Sequence, residues 1–125
     1  LDQLVAQLPN CINSSVEEAG FGFSGGERQR LSLARILLQD APIVLLDEPT
    51  VGLDPITEQA LLETMFTVLQ GKTILWVTHH LQGVNQTDRV IFLEDGRLTM
   101  NDTPSHLAKN DERYQNLYAL DAGLR

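Results

Sequence analysis

Two short apolar runs, Ile43–Leu46 and Ile74–Val77, the second within an expected strand Thr73–Val77, flank a segment with helical spacing, and that order limits the fold more than any other feature of the chain. Ile43–Leu46 is uninterrupted and lies between breakers, Ala41-Pro42 and Pro49, as expected of a strand buried on both faces. Between the runs, Thr57–Leu69 places Ala60, Leu61, Met65 and Val68 on one stripe, with Gly71 as its expected stop. A strand, a helix and a second strand, with connections this short, imply a parallel pair joined by a crossover. Further on, Arg89–Leu93 and Arg97–Met100 flank Glu94-Asp95-Gly96, whose Asp-Gly predicts a hairpin. The expected class is α/β: a parallel sheet core with an antiparallel edge hairpin.

The remaining segments read as helices and loops. Leu1, Leu4, Val5 and Leu8 form one helical stripe that stops at Pro9-Asn10. Asn10–Gly22 is polar and reads as a loop. Ser24-Gly25-Gly26-Glu27 has capping-box spacing, so a helix is expected from there through Leu31, Leu33, Ala34, Ile36 and Leu37 to about Gln39. Leu81–Gln86 could form a short helix, and Pro104–Leu120 has helical patches through Leu107, Tyr114, Leu117 and Tyr118. By function the chain divides at 1–39, 40–102 and 103–125.

Composition excludes several classes. The formal charge of −8 argues against a nucleic-acid surface, which needs clustered Lys and Arg. The single cysteine, Cys11, cannot form an internal disulfide, and with His79, His80 and His106 it gives no zinc pattern. The apolar runs are too short to span a bilayer, and no signal peptide opens the chain, so no direct membrane insertion is expected. The start without Met suits an excised fragment.

Two motifs carry chemistry. A helix start exposes unpaired N–H groups and partial positive charge, and Gly25 and Gly26 would let a phosphate approach the backbone, with Ser24 adding a hydroxyl. The plainer alternative is that Ser24 caps and the glycines only make a turn. Asp47 and Glu48 close an apolar strand, at the strand end where open α/β sheets place ligands. Because successive strand side chains diverge, one carboxylate can hold Mg²⁺ while the other orients water. No G-x-x-x-x-G-K-[ST] occurs anywhere, so the loop that cradles nucleotide phosphates is absent from these residues.

Phe23-Ser24-Gly25-Gly26-Glu27-Arg28-Gln29-Arg30 resembles the signature motif of the ATP-binding cassette (ABC) ATPases, and Ile43–Thr50 resembles their Walker B motif. Phe23 and Glu27 stand where the family more often has Leu and Gln. The resemblance implies a partial P-loop NTPase domain, its second half, with part of the helical signature subdomain. It implies Glu48 as general base, Asp47 as the Mg²⁺-associated carboxylate acting through water, and His79 as the switch histidine that contacts the γ-phosphate. His80, where the family often has Arg, is expected to be solvated. Val51-Gly52-Leu53-Asp54 resembles the D-loop, which crosses to the opposing ATPase domain, and the resemblance implies Asp54 as a nucleotide-binding residue; its alternative is a plain turn closed by Asp54-Pro55. Ser24, Gly25, Gly26 and Glu27 would then contact the ATP held by a second ABC ATPase domain.

Thr87–Leu98 resembles the hairpin of transporter members, and the tail from His106 to Leu120 resembles exporter half-transporters. Ser14–Gly20, with Glu18, resembles the exporter loop that meets the membrane domain. The tail Tyr114–Asp121 is similar to the C subunit type of the bacterial heterodimeric glutathione and cysteine exporters needed for cytochrome bd assembly. These likenesses imply a heterodimeric partner, a transmembrane domain on the same parent polypeptide and a place on the cytoplasmic face of the bacterial inner membrane. Exporters of lipid, drug or peptide, soluble ABC ATPases of DNA repair or translation, and a nonenzymatic dimerisation fragment stay open as alternatives.

Overall fold

The computed structural model describes residues 1–16 and 22–123. The chain forms two compact units, Leu1–Val77 and Thr78–Arg125. The expected exporter loop around Glu18 lies outside the described residues.

The first unit opens with α1, Asp2–Gln7, followed by a 3-10 turn at Cys11–Asn13. Helix α2, Gly25–Gln39, begins where the capping box places it. Its end is set by Asp40, which adopts the left-handed conformation at φ 49° and whose carboxylate meets Lys72 Nζ at 2.7 Å. That ammonium holds the Asp40 carboxyl below its ordinary pKa, chiefly by hydrogen bonding. Strand β1, Ile43–Asp47, runs parallel to β2, Thr73–Val77, with Leu45 opposite Leu75 and Asp47 opposite Val77. Helix α3, Pro55–Val68, makes the crossover.

Helix α3 starts two residues earlier than the periodicity predicts, because Asp54 caps it and Pro55 occupies its first position, where a missing N–H costs nothing. Its buried stripe is also rotated from the expected one. Glu58, Leu61, Leu62 and Met65 face inward, whereas Val68 is exposed. With Leu69 they join Leu33, Val44 and Leu46 in the core, edged by Ile36, Leu53, Phe66, Ile74 and Trp76.

The expectation of a strand buried on both faces fails. Val44 and Leu46 are 4% and 7% exposed, but Ile43 and Leu45 are 67% and 65% exposed, and Leu75 and Val77 on β2 are 55% and 48%. One face of the pair packs on α2 and α3; the other is apolar and open. The continuous apolar run was a true sign of two-sided apolarity, but the described residues cover only one side.

In the second unit, β3, Val90–Glu94, and β4, Arg97–Asp102, form the expected hairpin. Asp95 and Gly96 both have positive φ, 46° and 72°, which suits the two-residue loop that matches strand twist. Within this unit the hairpin is an antiparallel two-stranded sheet. The expected helix at Leu81–Gln86 is only a 3-10 turn, Val84–Gln86, entered through Gly83 at φ 80°. Two helices close the unit, α4, Pro104–Asn110, and α5, Glu112–Gly123. Val90, Met100, Leu107 and Tyr114 are buried here. No helix among the described residues is long and apolar enough to cross a membrane.

Candidate functional site

The start of α2 is built as a closed cap. Ser24 Oγ accepts from Glu27 N at 3.3 Å, and Glu27 Oε2 accepts from Ser24 N at 2.7 Å. The Glu27 carboxyl is held below its ordinary pKa, first by the Ser24 backbone N–H and then by the Ser24 side chain. The Ser24 hydroxyl thus works within the cap, its oxygen accepting from Glu27 N while its O–H faces the Glu27 carboxylate. The first N–H groups of any helix lack intrahelical acceptors, so Gly25 and Gly26 present donors at the positive end of a 15-residue helix.

The glycines also do something that the sequence alone did not suggest. A Cβ on Gly26 would lie 2.9 Å from Thr57 Cγ2, and one on Gly25 would lie 3.3 Å from Leu53 Cδ2. The signature start therefore packs directly on the Val51–Thr57 segment. Thr57 cannot readily yield, because its Oγ1 donates to Asp54 Oδ2 at 2.6 Å.

Asp54 works as an N-cap. Its Oδ1 accepts from Ile56 N at 3.1 Å and Thr57 N at 3.0 Å. These bonds, led by the Thr57 hydroxyl, keep the Asp54 carboxyl below its ordinary pKa. The alternative of a turn closed by Asp54-Pro55 thus describes its local role. One turn deeper, Thr50 Oγ1 donates to Glu58 Oε1 at 2.8 Å, with both residues almost wholly buried at 3% and 4% exposure. This pair fixes the Pro49-Thr50 loop to α3. The sequence signal for it was a Glu on the buried stripe, which reads as a surface residue until its partner is known.

At the end of β1, Asp47 is exposed and continues the strand, whereas Glu48 does not. Glu48 has φ 46°, a left-handed backbone costly for any residue with a Cβ, and its N–H donates to Val77 O at 2.9 Å. The strand-alternation argument therefore stops at Asp47. The left-handed turn, not the pleat, aims the Glu48 side chain. Strained backbone held by its surroundings is frequent at catalytic positions.

In the second unit, His79 is exposed, and its ring lies against that of His80 with centroids 4.0 Å apart. His80 is not a solvated side chain as expected. Its Nδ1 lies 3.2 Å from Asp121 Oδ1, on α5, and only 29% of its side chain is exposed.

The sequence matches the family model "ABC transporter" over residues 2–51. The chain is 57% identical over its full length to the glutathione/L-cysteine transport system ATP-binding/permease protein CydD of Bacillus subtilis strain 168.

The chain belongs to the ABC transporter family.

A second family member, the corresponding protein CydC of Escherichia coli K12, is 44% identical over 82% of the chain. Of these two relatives, the one named as the D subunit has the higher identity, whereas the tail resembled the C type. A bacterial Atm1-family ABC exporter solved with ATP bound matches 96% of the chain at 35% identity and a TM-score of 0.83. The chain spans about a fifth of the length of these proteins: 22%, 18% and 21%.

The residues present fit the family's ligands. Asp47 is an exposed carboxylate at a strand end, and Mg²⁺ in nucleotide sites commonly takes one or two carboxylates with phosphate and water oxygens rather than a protein cage. The capped start of α2 fits an anionic oxygen.

Proposed function

We propose that this chain is the second half of an ATP-hydrolysing domain in a bacterial ABC exporter for glutathione and cysteine. The observation that carries the reading is Asp47-Glu48 at the carboxyl end of a parallel strand, in a chain 57% identical to a protein named as such a transport system. Relatives named as ATP-binding/permease proteins support a transmembrane domain on the parent polypeptide and a location on the cytoplasmic face of the inner membrane. The two subunit names among them support a heterodimer.

Each residue then has one task. Glu48 accepts a proton from the attacking water, with its orientation preset by the left-handed backbone. Asp47 would hold Mg²⁺ through water, where the bound ion would supply charge neutralisation to the phosphates. His79 donates to the γ-phosphate. Ser24, Gly25 and Gly26 face the nucleotide of the opposing domain, with Glu27 closing the cap behind them. Asp54 keeps the D-loop in shape by capping α3, and this loop meets the opposing domain through exposed Val51 and Ile56. The open face of Ile43, Leu45, Leu75 and Val77 receives the preceding half of the same domain, which carries the phosphate cradle.

Ser24→Asp tests the cross-domain assignment. Aspartate is as good an N-cap as serine, so α2 survives, but a negative charge now stands where a phosphate must approach. In the full-length heterodimer, labelled-nucleotide trapping read site by site should fall at the cradle of the opposing subunit. Loss confined to this subunit's own cradle would contradict the assignment.

A further inference from the structure

The expectation for His80 was a solvated side chain; instead it sits between the switch histidine and the last helix. A carboxylate can only accept, so the 3.2 Å contact with Asp121 Oδ1 requires the proton of His80 on Nδ1. The other carboxylate oxygen, Oδ2, accepts from Leu81 N at 2.9 Å. His80 N in turn donates to Thr78 Oγ1 at 3.0 Å. Thus one side chain grips both the ring and the backbone directly after His79, and the gripped ring lies against the His79 ring.

Helix α5 is well placed to hold this grip, because it is anchored independently of it. Tyr114 is 3% exposed, its N–H donates to Asp111 Oδ1 at 2.8 Å, Gln115 Nε2 donates to Ala108 O at 2.9 Å, and Arg113 pairs with Glu94 on the hairpin. Asp121 is therefore presented from a helix already fixed to α4 and β3.

We propose that Asp121 is a positioning residue for the switch histidine: acting through His80 and the Leu81 N–H, it fixes where the His79 ring stands. This rests on the reading of His79 as the γ-phosphate contact. Fixing a ring against its neighbour matters because small misplacements of a contacting group lower turnover steeply. The same grip makes the C-terminal helix a lever on the switch.

The test uses steady-state ATPase of the full-length protein and ¹⁵N-histidine NMR of this chain. Asp121→Ala should lower kcat by about tenfold while leaving KM for ATP unchanged, and His80 should lose its Nδ1–H tautomer. Asp121→Asn, isosteric and still able to accept from Leu81 N–H, should fall between wild type and Asp121→Ala. His79→Ala should abolish turnover. If His79→Ala abolishes turnover but both Asp121 variants keep wild-type kcat, the positioning role is wrong and the switch reading stands. An unchanged His80 tautomer in Asp121→Ala would overturn it equally. If His79→Ala itself retains turnover, the switch reading fails and the positioning role fails with it.

Discussion

Glu48 holds a left-handed backbone that carries a cost for any side chain with a Cβ, and no feature of Asp47-Glu48-Pro49 announced it. Glycine relieves that strain, so Glu48→Gly should raise the unfolding free energy of the chain by ~1 kcal/mol while removing the proposed base. Denaturant melts followed by the single tryptophan, Trp76, which packs against the core, would read this; a lower midpoint would refute the strain argument. Gly26 makes the opposite case. Alanine is favoured over glycine inside a helix by up to ~1 kcal/mol, yet its Cβ would meet Thr57 Cγ2 at 2.9 Å, and overpacking costs ~1–3 kcal/mol. The clash should win, and Gly26→Ala should melt earlier than wild type. The candidate residues Ser24, Asp47, Glu48 and His79 were legible in the sequence as members of motifs. Their conformations were not, because a positive φ at Glu48 and a packing limit at Gly26 are set by contacts with residues far along the chain.

Elements were legible where local chemistry decides them. The capping box of α2 and the Asp-Gly hairpin turn need only neighbouring residues, and both stand where the sequence put them. The start of α3 was misplaced because Asp54 was read for its partner and not for the N–H groups two and three residues on. The inward stripe of α3 was misassigned because Glu58 is buried by its bond to Thr50, a contact that periodicity cannot see. Caps also predict a pH response. The carboxyls of Glu27, Asp40, Asp54 and Asp102 all lie below their ordinary pKa values in the folded chain, owing respectively to Ser24 N–H, Lys72, the Thr57 hydroxyl and Thr103 N–H. A carboxyl whose folded pKa is depressed adds stability that is complete above its unfolded pKa and is lost as pH falls through the folded one. The chain should therefore be equally stable on this account at neutral pH and at pH ~6, and lose stability progressively below pH ~4. Asp54→Ala should flatten that acid limb and lower the midpoint at neutral pH; an unchanged acid limb would show that the cap does not contribute.

At the scale of the whole molecule, the apolar outer face of β1 and β2 separates what this chain can do alone from what its parent does. Leu45 is 65% exposed here. Leu45→Thr should therefore alter the stability of the chain little, but should cost ~1.5–3 kcal/mol in a full-length domain whose preceding half buries that side chain. Equal effects in both would place the preceding half elsewhere. The chain alone also lacks the phosphate-cradling loop and should show no Mg²⁺-dependent ATP turnover. The central claim is that Glu48 is the general base of a nucleotide site completed by the rest of its parent. Glu48→Gln in the full-length protein tests this most directly, by nucleotide binding and single-turnover hydrolysis measured on the same sample. Amide for carboxylate keeps the shape and removes the basicity, so ATP binding should persist while hydrolysis slows by ~10²–10⁴-fold. Wild-type hydrolysis by the variant at this subunit's site would contradict the account.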